Sequence, residues 1–256
     1  MDYIKHLRHF ESMSGEEQDE RRNELIQTTP EKCWPEGMPA SIDPKLVLIG
    51  VSYGNSPSIE AEDSYKKDGS YFFSEPCVVK PDNSHFYYPD TRRYWLKLRY
   101  LSHSYFKMHD SNITENEAIS LTSHFNLGTG SAGMATVKDV EEPYVKWVSN
   151  LLDKIHSPDI VILFGLNGIL GVDEIFGWWN QTGLSVNWKK PDNSFLLSSY
   201  SKKNYMFREW SAINSNGHTM RLVMWPNHPS RHPFSSFELW KQSVDEYMST
   251  LSDKSL

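Results

Sequence analysis

A chain of 256 residues, 38% hydrophobic and 13% aromatic, has enough apolar surface for a sizeable core; this excludes global disorder and fits a single domain. Its 26 Lys and Arg against 33 Asp and Glu leave a net charge of −7, which argues against broad, non-specific adhesion to nucleic acid but allows a local basic face. Cys33 and Cys77 are too few for a disulfide framework or a four-cysteine cluster, Met1-Asp2-Tyr3 opens no signal pattern, and no apolar run approaches ~18 residues; a cytoplasmic protein without a membrane partner is expected.

Residues Ser14 to Ile26 are densely charged behind a capping-type serine and are read as a solvated helix within an N-terminal helical extension, 1–42. Lys45 to Val51 is a continuous apolar run, as a strand covered on both faces must be. Residues 55–91, rich in Ser, Asp, Pro and aromatics without a period, are expected to form an insertion over the active site. Ala118 to Phe125 is expected to be a second strand. Tyr144, Trp147, Val148, Leu151, Leu152 and Ile155 recur at helical spacing between Pro143 and Ser157-Pro158, which predicts a helix feeding a third strand at Asp159 to Phe164. Residues 178–215 receive no element. Met220 to Trp225 is read as a fourth strand, and Phe237, Trp240, Val244, Tyr247 and Leu251 follow on a helical period.

Strands separated by helices or long connections imply right-handed crossovers and a ligand crevice at the strand C-terminal ends. The expected fold is α/β, a three-layer α/β/α sandwich around a central four-stranded parallel sheet, with residues 1–256 in one domain.

The loops at those ends carry the chemistry. The first strand runs into Gly50-Val51-Ser52-Tyr53-Gly54-Asn55-Ser56-Pro57-Ser58, the second into Phe125-Asn126-Leu127-Gly128, and the fourth into Trp225-Pro226-Asn227-His228-Pro229-Ser230. In order and strand context this set resembles the uracil-DNA glycosylase superfamily over roughly residues 43–250. Members have a Gly-rich water-activating loop after the first strand, an Asn ending the second and His-Pro-Ser after the fourth. The resemblance implies an enzyme that flips a base out of DNA and hydrolyses its N-glycosidic bond, with no cofactor or metal, acting as a monomer on DNA.

On that resemblance each residue type has a physical task. A base must leave the stack to be reached and is read along its Watson–Crick edge, a task suited to the acceptor and two donors of the Asn126 amide. Negative charge gathers on the departing base, and His228 would donate to its O2. Ser230, with Ser56 and Ser58, would contact DNA, positioning the duplex without reading it. Arg231, His232 and Phe234 are candidates for the wedge that fills the vacated stack, and Arg231 would also meet a phosphate. Phe72 or Phe73, beside Tyr71, would stack on the flipped base, with Tyr53 and Gly54 completing the pocket.

Two positions depart from the best-known pattern. Val51 and Ser52 stand where the water-orienting Asp, Asn or Glu is expected. Asn55, the closest of the candidates, is the favoured substitute, with Glu60, Glu62 and Asp63 behind it; without a substitute the enzyme would rely on leaving-group stabilisation by His228 and on the substrate's own phosphates. Gly54 replaces the aromatic that excludes thymine and leaves space beside C5 of the base. The chain in this respect looks like bacterial phage-defence glycosylases that remove glucosylated hydroxymethylcytosine.

Other readings stay open. A modified-DNA-binding module without activity would account for the missing acid. Gly128, Gly130 and Gly133 spell a dinucleotide-binding fingerprint, but after the second strand rather than the first. Gly50 to Gly54 spells Gly-x-Ser-x-Gly around Ser52, without a recognisable acid or oxyanion partner. The ten His are scattered, and none joins a helical His-x-x-x-His with an acidic partner.

Overall fold

In the computed structural model, the residues described are 44–50, 92–127, 142–155, 157–164, 172–187, 189–196, 206–226 and 236–252, with the single positions 16, 17, 20, 140, 228 and 229. Within these, a seven-stranded mixed sheet forms the centre. Its strands are β1 (Leu46–Gly50), β2 (Thr122–Asn126), β3 (Ile160–Phe164), β4 (Ser185–Val186), β5 (Asn193–Leu196), β6 (Met206–Ile213) and β7 (Thr219–Trp225). Their spatial order is β2-β1-β3-β7-β6-β4, with β5 also pairing β6. The helices are α1 (Arg92–Lys107), α2 (Glu115–Ser120), α3 (Glu142–Asn150, continued by a π-helical turn at Leu151–Ile155), α4 (Val172–Thr182) and α5 (Phe237–Ser252).

The four apolar runs do become mutually parallel strands, β2, β1, β3 and β7. The expectation of a four-stranded sheet is nevertheless corrected, because β6 joins β7 antiparallel and brings β4 and β5 with it. These three strands come from the stretch left without an element. Its period is hidden because β6 places Glu209, a carboxylate, at a core position, and β5 is half exposed.

A second correction concerns Ala118 to Phe125, whose first residues belong to α2. Thr114 and Glu117 form a reciprocal cap: the Glu117 N–H donates to Thr114 Oγ1 (3.2 Å), and the Thr114 N–H to Glu117 Oε2 (2.7 Å). The helix ends at Ser120, and β2 starts two residues later.

Side chains alternate across the sheet, so each strand feeds two cores. Leu46, Leu48, Ile160, Ile162, Phe164, Val223 and Trp225 face one way, onto Leu98, Leu101, Tyr105 and Phe106 of α1 and Trp240, Val244 and Tyr247 of α5. On the opposite face, Phe125 meets Trp147 of α3 edge-on (5.5 Å), and Trp210 meets Phe176 of α4 (5.3 Å). The indole N–H of Trp179 donates to the Val145 carbonyl, tying α4 to α3 (3.2 Å). Helices therefore cover both faces of the sheet.

Glu16, Glu17 and Glu20 are helical and exposed. The rest of the 1–42 extension, except for this trio, and the 55–91 insertion lie outside the described residues.

Candidate functional site

Because β2, β1, β3 and β7 are parallel, their last residues Asn126, Gly50, Phe164 and Trp225 stand along one edge of the sheet. Gly50 pairs with Asn126, and the Leu127 N–H donates to the Gly50 carbonyl at 3.1 Å, which stitches the exits of β1 and β2 together. Three strand spacings, about 14 Å, separate β2 from β7. This separation exceeds the width of a planar heterocycle. Backbone position is all that the structure describes for Asn126.

After β7 the chain turns through buried Pro226 to His228, which is half-buried, and buried Pro229. The His228 ring meets Phe164 edge-on, with centroids 6.5 Å apart and planes at 78°. Phe164 is fully buried and is itself held by Trp225 (6.2 Å) and Trp240 (6.1 Å). The imidazole thus rests on an aromatic floor supplied by β3, β7 and α5.

From the α1 side comes Lys97, only 2% exposed, whose Nζ donates to the Pro229 carbonyl at 2.7 Å. The indole N–H of Trp240 in turn donates to the Lys97 carbonyl (2.9 Å). Sequence reasoning missed Lys97 because α1 was not assigned. A signal was present: Leu98, Leu101, Tyr105 and Phe106 recur at helical spacing, and all four are buried. Nothing in that pattern singles out the lysine.

Three described groups have displaced pKa values. Burial, and then the neighbouring Glu209, raise the Tyr247 hydroxyl well above 10.0. Burial and the hydrogen bond to Asp245 push Tyr100 up to about 12. Burial lowers His109, which follows the far end of α1. Among the described residues, no three His, Cys, Asp or Glu side chains gather as a metal-binding group, and no helix is long and apolar enough to cross a membrane. A shallow groove of about 560 Å³ lies on the outer face of α5, lined by Glu238, Lys241 and Asp245 among others.

Of the residues singled out from sequence, Asn126 and His228 are brought to the same sheet edge. Ser52, Tyr53, Gly54, Asn55, Ser56, Ser58, Phe72, Phe73, Ser230, Arg231 and His232 lie outside the described residues, as does the Gly128-Gly130-Gly133 segment. Comparison with protein-family models, with curated proteins and with solved structures finds no match to this chain.

Proposed function

We propose that this chain is a DNA glycosylase with a uracil-DNA-glycosylase-like α/β/α core. Its substrate is a flipped C5-modified pyrimidine such as glucosylated hydroxymethylcytosine, or uracil, and its product an abasic site, in phage defence or base-excision repair. Water adds to C1′ of the sugar as the bond from C1′ to the base nitrogen breaks, the base leaves with the bonding electron pair, and the proton that the added water sheds balances the one that the free base takes up. His228 donates to the oxygen where that charge collects, and Asn126 reads the base edge. The observation that supports the reading is that Asn126 and the half-buried His228 stand at the C-terminal edge of the sheet's four parallel strands, where α/β proteins bind their ligands.

The test is to incubate the protein with labelled duplexes containing uracil, a thymine mismatch, hydroxymethylcytosine or glucosylated hydroxymethylcytosine, and to score alkali-labile breaks. At least one duplex is expected to be cut, and His228→Ala to slow the cut by about 10²–10³-fold, the usual loss on removing a transition-state donor. The proposal fails if no duplex is cut, or if His228→Ala and Asn126→Ala cut as fast as the parent. Tight binding to a modified duplex without cutting would instead favour a binding module, in keeping with Val51 and Ser52 at the water-activating position.

A further inference from the structure

We propose that Lys97 is the positioning residue for His228, its buried ammonium clamping the Pro229 carbonyl and so fixing the segment that carries the imidazole. What the segment does rests on the glycosylase reading; the clamp itself does not.

Lysine is almost never fully buried, because taking an ammonium out of water costs several kcal/mol and its long stem normally lets the charge reach solvent. Lys97 is 2% exposed, and its Nζ lies 2.7 Å from a carbonyl 132 residues away in sequence. A charge-assisted bond of this kind is roughly twice as strong as a neutral one. Its target is well chosen. Pro226 and Pro229 have no N–H, so at those two positions the backbone can be held only through its carbonyls.

Three supports then converge on one short stretch. Lys97 holds the backbone beside His228, Phe164 meets the ring, and the Trp240 indole fixes the backbone of Lys97 itself. A misplacement of about 1 Å in a catalytic group can cost ~10² in rate, so a clamp at this point acts on the chemical step rather than on DNA affinity.

The test compares the parent with Lys97→Met, which keeps much of the stem and removes the charge, by hydrogen exchange of the described amides flanking Pro229, that of His228 above all, and by single-turnover excision at saturating duplex. Exchange in that segment is expected to rise by about tenfold, with α1 and α5 protected as in the parent. The saturating rate is expected to fall about tenfold or more, with duplex Kd changed less than about twofold. Because Lys97 acts through His228, Lys97→Met should add no further loss to His228→Ala. Parental exchange in the segment overturns the clamp, as does a loss that multiplies with that of His228→Ala. A parent that cuts no duplex while Lys97→Met still loosens the segment sinks the glycosylase reading and leaves the clamp standing. Should Lys97→Met not fold, the parent labelled with 15N-lysine decides: one protected ammonium signal with cross-peaks to Pro229 protons is expected, and its absence overturns the proposal.

Discussion

Tyr247 and Glu209 show how a buried polar pair shapes the core at the level of single residues. Glu209 is 4% exposed and accepts from the Tyr247 hydroxyl (3.1 Å) and from Asn193 Nδ2 (3.1 Å). Tyr247→Phe removes one donor from a buried carboxylate and should destabilise the fold by about 1–3 kcal/mol at pH 7, read from urea midpoints. The pH dependence has a definite sign. The folded pKa of Tyr247 is raised, so its contribution is complete below the unfolded value of 10.0 and is lost as pH climbs above that toward the folded value. The parent should lose stability above pH 10, and Tyr247→Phe should lose less over the same range. Gly183 offers a second case. Its φ is +118°, and an added Cβ would lie 2.6 Å from Oδ2 of Asp153, the buried carboxylate that accepts the Ser215 N–H (2.7 Å). Gly183→Ala is therefore both strained and obstructed, and a loss of about 2–3 kcal/mol is expected in thermal or urea unfolding.

Local chemistry at the ends of elements decides where they begin. The reciprocal bonds between Thr114 and Glu117 start α2, which hands the chain through Leu121 to β2; the Leu121 carbonyl accepts from the N–H groups of Lys45 (2.8 Å) and Leu46 (3.1 Å) at the start of β1. Thr114→Ala removes the side-chain acceptor and should cost about 1 kcal/mol, seen as a shifted urea midpoint with an unchanged slope. The Thr-x-x-Glu signal that marks this helix was present in the sequence, but the apolar residues after it (Ala118, Ile119, Leu121) read as the opening of a strand. Short apolar runs look alike in helix and strand, and here the cap arbitrates.

For the molecule as a whole, the −7 charge bears on how DNA would be held. On the proposed reading, an acidic balance of 26 cations against 33 anions would leave affinity to come mainly from the flipped base and its pocket rather than from the duplex backbone. The logarithm of the duplex affinity should thus fall with log salt at a slope shallower than about −4, corresponding to about four phosphates or fewer. A fluorescence titration between low and physiological salt measures this, and a steep slope would point to a basic face that the charge balance does not announce.

By itself the sequence determined the parallel part of the sheet, the helices around Trp147 and Trp240, and the placing of Asn126 at the end of one strand and of His228 just beyond another. Continuous β-branched runs and helical stripes are local patterns, and burial on both faces writes them directly into composition. Only the tertiary structure decided that β6, β5 and β4 extend the sheet, because a buried Glu209 is tolerable only with Tyr247 and Asn193 brought to it from elsewhere in the chain. It also decided that Lys97 belongs beside His228. A lysine 132 residues from its carbonyl partner has no sequence mark, because the bond exists only once α1, α5 and the exits of β3 and β7 have packed around it.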